Sequence, residues 1–190
     1  MKRGFPFGLV AIMLASSLVG VGLALLVLNS DWFARPARGP ALVSLSQRAL
    51  ASEGALAPNF TLTDLDGKAV SLAELRGQPM LINFWASWCP PCLKETPALA
   101  EAYRTLIREG RRVVFIGVGT NDTSENLRRF AEEQSIPYLV LFDAEAKVSD
   151  VYGVRGMPTT FFVDSSGVIQ RIWNGELRKE QVLQFMRELR

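Results

Sequence analysis

Cys89 and Cys92 stand three positions apart in a chain of 190 residues that holds no other cysteine and no histidine. At C-x-x-C spacing across a helix start, two thiols can close a small disulfide ring, and the positive end of the helix dipole favours the thiolate of the first. The lack of histidine removes Ser-His-Asp and Cys-His catalysis together with imidazole general bases. A zinc site wants four ligands, and neither a second C-x-x-C nor a pair of histidines is present. Dithiol-disulfide exchange and an inert structural disulfide are the readings left for the pair.

The elements around the pair explain how it would be held. MLINFW, residues 80–85, is an apolar run ending just before the cysteines, and VVFIGVG, residues 113–119, is a second; both suit buried strands of a sheet covered on its faces. Between them Leu99, Ala102, Tyr103 and Leu106 recur at helical spacing, predicting a helix from the cysteines to about Arg108 that Gly110 ends. Pro97 lies inside that helix and should kink it. Upstream, NFTLTDLDGKAVSL reads as a hairpin turning at Asp66-Gly67. Downstream, residues 124–134 read as a helix with Leu127 and Phe130 inward, residues 138–142, 160–163 and 168–173 as strands, and residues 179–190 as an amphipathic helix. Hairpin, βαβ, αβ, hairpin and closing helix make an α/β sandwich around a central mixed sheet.

The first 55 residues differ from the rest. They carry five basic and two acidic groups, whereas residues 56–190 carry sixteen and seventeen, so the net charge of +2 divides into +3 and −1. A near-neutral domain of interspersed sign lacks the electrostatic footprint of a nucleic-acid binder. No ionisable side chain occurs from Gly4 to Ser30, and Phe5 to Leu28 as a helix would rise about 36 Å, enough for a hydrocarbon core of roughly 30 Å. Residues 1–30 therefore read as an uncleaved membrane anchor, in competition with a cleaved secretory signal. Lys2, Arg3 and the terminal amine before the span and Asp31 after it favour N-in, C-out over the opposing pull of Arg35 and Arg38. Residues 31–55, with Pro36, Gly39, Pro40 and Gly54, read as a linker, and residues 56–190 as the domain.

NFWASWCPPC at residues 83–92, with GMPTTF at 156–161, resembles the thioredoxin-like fold. More narrowly, APNFTLTDLDGKAVSLAELRG followed by NFWASWCPPCLKETP resembles the membrane-anchored bacterial thiol-disulfide reductases of the TlpA, ResA and CcmG group, over about residues 56–190. The resemblance implies that Cys89, exposed at the helix start, attacks and that Cys92 resolves the mixed disulfide. It implies that Pro158 is a cis-proline against the disulfide, leaving the backbone of Met157 to pair with an extended substrate. Glu95, one turn beyond Cys92, matches a glutamate that tunes the pair or relays a proton; an acidic residue favoured near a helix N-terminus is the competing reading.

Asn83, at the place where thioredoxin has a buried aspartate, cannot be a base, which leaves Glu95 the nearest carboxylate in sequence. Pro90-Pro91 supplies no N–H to the Cys89 sulfur, which argues for a reducing poise. Trp88, with Trp85, would form an apolar collar on which a substrate docks; core packing is the competing reading, stronger for Trp85 than for Trp88.

The expected activity is protein-disulfide reduction on the extracytoplasmic face of the membrane. The only redox group is the Cys89-Cys92 pair, with no separate cofactor or metal and no nucleic-acid partner. The resemblance further implies a CcdA or DsbD type membrane electron donor, and apocytochrome c or a copper-assembly protein as substrate. Two other classes compete: a thiol peroxidase, which wants Thr three residues before its cysteine where this chain has Ala86, and a non-enzymatic thioredoxin-fold adaptor with a structural disulfide.

Overall fold

A computed structural model of the chain describes residues 51–189. The anchor read at 1–30 and the linker up to residue 50 lie outside the described residues; among the described residues no helix is long and apolar enough to cross a membrane. The elements run β1 Thr61–Asp64, β2 Ala69–Ser71, a 3₁₀ turn Leu72–Leu75, β3 Met80–Trp85, α1 Pro90–Arg108, β4 Val114–Thr120, α2 Ser124–Glu133, β5 Leu139–Asp143, α3 Lys147–Val151, β6 Thr159–Val163, β7 Ile169–Asn174 and α4 Lys179–Glu188. Every strand and helix expected over residues 56–190 is there. The 3₁₀ turn and α3 are additions that the periodicity was too short to signal.

One seven-stranded sheet runs in the order β2-β1-β5-β4-β3-β6-β7. β3, β4 and β5 pair in parallel, while β6 and β7 on one side and β1 and β2 on the other are antiparallel. All six residues of β3 are buried, as a strand covered on both faces requires. Its side chains alternate. Met80, Ile82 and Phe84 join Phe60, Ile116, Tyr152 and Phe161 on one face, whereas Leu81 joins Leu99, Leu106, Phe115, Phe162 and Met186 under α1 and α4. Asn83 and Trp85 share the parity of Leu81, which aims Asn83 toward α1.

Local chemistry sets the ends of α1. Pro90 and Pro91 occupy its first positions, where an N–H would have no intrahelical partner, and Gly110, at φ 73°, closes it in the left-handed region. The helix assignment continues through Pro97. Residues 53–55, read as linker, instead lie along the edge of β7: the Gly54 N–H donates to Ile169 O, the Ile169 N–H to Ala55 O, and the Ile172 N–H to the Glu53 carboxylate. Backbone groups on a sheet edge need partners, and the chain's own upstream residues provide them.

Candidate active site

Cys89 caps the start of α1 and is bonded to Cys92, with the two Cα atoms 5.3 Å apart. The expectation of an exposed Cys89 needs correction. Its relative exposure is 4% and that of Cys92 is nil, because Trp85, Ala86, Leu127, Phe130 and Val140 pack around the pair. The order is nonetheless the expected one: what exposure the pair keeps belongs to Cys89. The Cys89 N–H donates to Ala86 O at 3.2 Å and its carbonyl accepts from Leu93 N–H at 3.1 Å, which holds the turn into the helix.

The Met157-Pro158 peptide is cis. Pro158 is buried and leads directly into β6, while Met157 is half-buried and packs against the cysteine cluster. Trp88 is 58% exposed, but Trp85 is 3% exposed and packs on Phe130 with the ring centroids 4.9 Å apart and the planes tilted by 40°. The expected collar therefore loses Trp85, whose place on β3 turns it inward. Trp88 alone, with Leu93 at 38% exposure, supplies apolar surface beside the disulfide.

Glu95 is 1% exposed. One carboxylate oxygen accepts from Asn83 Nδ2 at 2.8 Å and the other from the Leu177 N–H at 3.0 Å. Burial pushes its carboxyl up to about 7, against these two donors, and the nearby Glu176 charge adds to the rise. An acidic residue placed only to meet a helix dipole would face water. This one is buried a single turn after Cys92, on the helix that carries both thiols.

Asn83 is therefore no bystander. Its Nδ2 donates to Glu95 and also, at 3.0 Å, to Thr160 Oγ1, across the Asn83–Thr160 register pair of β3 and β6. The signal for it in the sequence was one amide inside an apolar run. The β7–α4 segment adds the Leu177 N–H to Glu95 and the Gly175 N–H to Pro158 O, so the segment touches both the carboxylate and the proline. No local pattern marked that contact. The same holds for Asn121 and Asp122 after β4, whose oxygens accept from Trp88 Nε1 and from the Ser87 N–H. Burial opposes ionisation of Asp122, yet bonds from Ser87, Thr123 and Asn126 outweigh it and hold the carboxyl below the usual range. Among the described residues no cluster of metal-ligating side chains occurs.

A dithiol at a helix start, with Met157 of the cis-proline loop packed against it and a buried carboxylate one turn further along the helix, has the parts needed for disulfide exchange. Comparison with known proteins gives the same class. The sequence model of the AhpC/TSA family matches residues 54–172. The thiol-disulfide oxidoreductase ResA of Bacillus subtilis is 33% identical over 135 residues, which cover 71% of this chain and 74% of that protein. Among solved structures, a thiol:disulfide interchange protein of the thioredoxin family from Chlorobium tepidum aligns with a TM-score of 0.64 at 28% identity, over 73% of this chain and 97% of its own. A secreted Mycobacterium tuberculosis disulfide oxidoreductase, described as homologous to DsbE of E. coli, aligns at 0.63 and 25% identity, over 68% and 96%.

Proposed function

The chain belongs to the AhpC/TSA family and, within it, is a thiol-disulfide oxidoreductase of the TlpA, ResA and CcmG group, and from that premise we propose that it reduces disulfides of proteins outside the cytoplasm while tethered by residues 1–30. The observation that carries the reading is the joint placement of Cys89 at the start of α1 and Glu95 buried one turn beyond Cys92. The Cys89 thiolate attacks a substrate disulfide, forming a mixed disulfide and releasing one substrate thiolate. The Cys92 sulfur then attacks Cys89, closing the Cys89–Cys92 bond and releasing the second thiolate. Glu95, poised near neutrality, takes the Cys92 proton in this step. Two electrons leave the dithiol for the substrate, and a membrane donor of the CcdA or DsbD type restores them.

Met157 and Trp88 serve as the docking surface, Met157 through its backbone ahead of Pro158 and Trp88 through its exposed ring. The secreted neighbour supports an extracytoplasmic location, and the uncharged apolar run from Phe5 to Leu28 supports the tether. Apocytochrome c and copper-assembly proteins are the substrate classes that the resemblance brings. Against the peroxidase stands the position that would carry its hydroxyl, which is Ala86 and fully buried.

Reduction of insulin by the pre-reduced full-length chain in detergent tests the activity. Cys89→Ser should abolish it, and a Cys92→Ala variant should accumulate the mixed disulfide on Cys89, read by mass. The direction is tested by the reduction potential of the pair in thiol buffers. A value at or below about −270 mV supports a reductase, and one near about −120 mV makes the protein a disulfide donor.

A further inference from the structure

The two residues immediately before Cys89 are both tied to one turn on another element. The Ser87 N–H donates to Asp122 Oδ2 at 2.7 Å, and Trp88 Nε1 donates to the Asn121 carbonyl at 3.0 Å. Asn121 takes φ 51°, a left-handed conformation to which asparagine is one of the better-suited residues. Asp122 is anchored in turn, its Oδ1 accepting from the Thr123 N–H at 2.7 Å and from Asn126 Nδ2 at 3.2 Å. The turn thus rests on the first residues of α2 and grips the chain two residues ahead of the attacking thiol.

The consequence lies in what becomes of Trp88. An indole more than half exposed would ordinarily wander among rotamers, and a docking partner would meet the cost of stopping it. Here its single polar atom is already bonded to the protein. The ring is left to offer its apolar faces beside Leu93 and the disulfide. A large, rigid, amphipathic ring is the side chain that recurs at the centres of protein interfaces.

We propose that the Asn121–Asp122 turn is a specificity element for the thiol-disulfide reaction, one that pre-positions Trp88 as the plate on which an extended polypeptide with apolar side chains beside its disulfide docks. The inference rests on the reading of Cys89 as the attacking sulfur. Neither Asn121 nor Asp122 touches the reacting atoms in this account; both are positioning residues. Discrimination then favours polypeptide disulfides over small ones, because a small disulfide has nothing to lay on the indole.

The test uses the pre-reduced full-length chain in detergent with two probes, insulin and hydroxyethyl disulfide, in single-turnover kinetics. Asp122→Ala should raise the half-saturating insulin concentration about fivefold, against a fall of less than about twofold in the rate constant for hydroxyethyl disulfide. Trp88→Phe, which keeps an apolar ring and alters only an exposed position, should show the same split. In ¹⁵N spectra the Trp88 indole N–H of Asp122→Ala should lose its protection from exchange. Thr123→Ala removes the side-chain cap of α2 while leaving Ser87 and Trp88 their partners, and should keep the wild-type half-saturation.

Equal loss toward both probes in Asp122→Ala and Trp88→Phe would overturn the proposal, as would an unchanged half-saturation or a rise of the same size in Thr123→Ala. A wild-type chain inert toward both disulfides would overturn the underlying reading of Cys89, and the docking role with it; that failure appears in the wild type, not in the variants.

Discussion

Replacing Glu95 by glutamine should abolish a pH dependence of stability that this one side chain imposes. The carboxyl rises from 4.5 in the unfolded chain to about 7 in the fold, because burial outweighs the bonds from Asn83 and Leu177. Between these values the folded state holds more protons than the unfolded state, so stability falls as pH rises. The contribution is fully present below 4.5 and is lost as pH rises through 7. The shift of about 2.5 units corresponds to roughly 3 kcal/mol. Urea unfolding of the oxidised full-length chain in detergent, at several values from pH 4.5 to 8, measures it for wild type and Glu95→Gln. Relative to the variant, the wild type should lose roughly 3 kcal/mol across that range. The glutamine amide nitrogen must face one of the two donors, a fixed cost of about 1 kcal/mol that cancels from the slope. A difference between the two proteins that stays flat over the whole range would refute the reasoning, for it would mean that Glu95 ionises as an ordinary surface carboxyl.

Other substitutions probe the neighbouring structure. Asn83→Ala removes a bond that lowers the Glu95 midpoint, so the midpoint should move above 7, as followed by carboxyl ¹³C shifts. Gly119→Ala would place a methyl inside the buried Leu127 side chain, and denaturant melts should show a loss of about 1–3 kcal/mol from overpacking. Asp143 is 3% exposed and accepts from the Ser149 N–H at 2.9 Å, the Val148 N–H at 3.2 Å and Thr120 Oγ1 at 3.2 Å. Asp143→Ala strands those donors and should cost about 1–3 kcal/mol in the same melts, with α3 exchanging its amide hydrogens first.

The fold was legible to the extent that each element carried its own period. β3 was readable to the residue because a run of six with five apolar residues and one amide, Asn83, suits a strand covered on both faces, and α1 because its buried positions repeat every turn and Gly110 closes it. The short α3 was not, since five residues cannot display a helical period. Residues 53–55 read as linker because their glycine and polar composition says nothing of a sheet edge that needs partners and lies as far as 119 positions away.

For the site, the sequence alone narrowed the candidate reacting atoms to two: with two cysteines and no histidine, thiol chemistry has only the Cys89 and Cys92 sulfurs to use. It also placed Glu95 a turn beyond them, since residues three apart on a helix share a face. What that carboxylate is depended on tertiary structure. Its donors, Asn83 of β3 and Leu177 of the segment between β7 and α4, lie 12 and 82 positions away. The two tryptophans make the same point. Trp85 ends an apolar run and Trp88 follows it; strand parity turns the first into the core, and the Asn121 carbonyl, 33 positions on, holds the second at the surface. Reactivity belongs to residue type and short spacing, whereas desolvation and hydrogen bonding depend on which distant segments the fold brings into contact, and those contacts set both the proton affinity of Glu95 and the pose of Trp88.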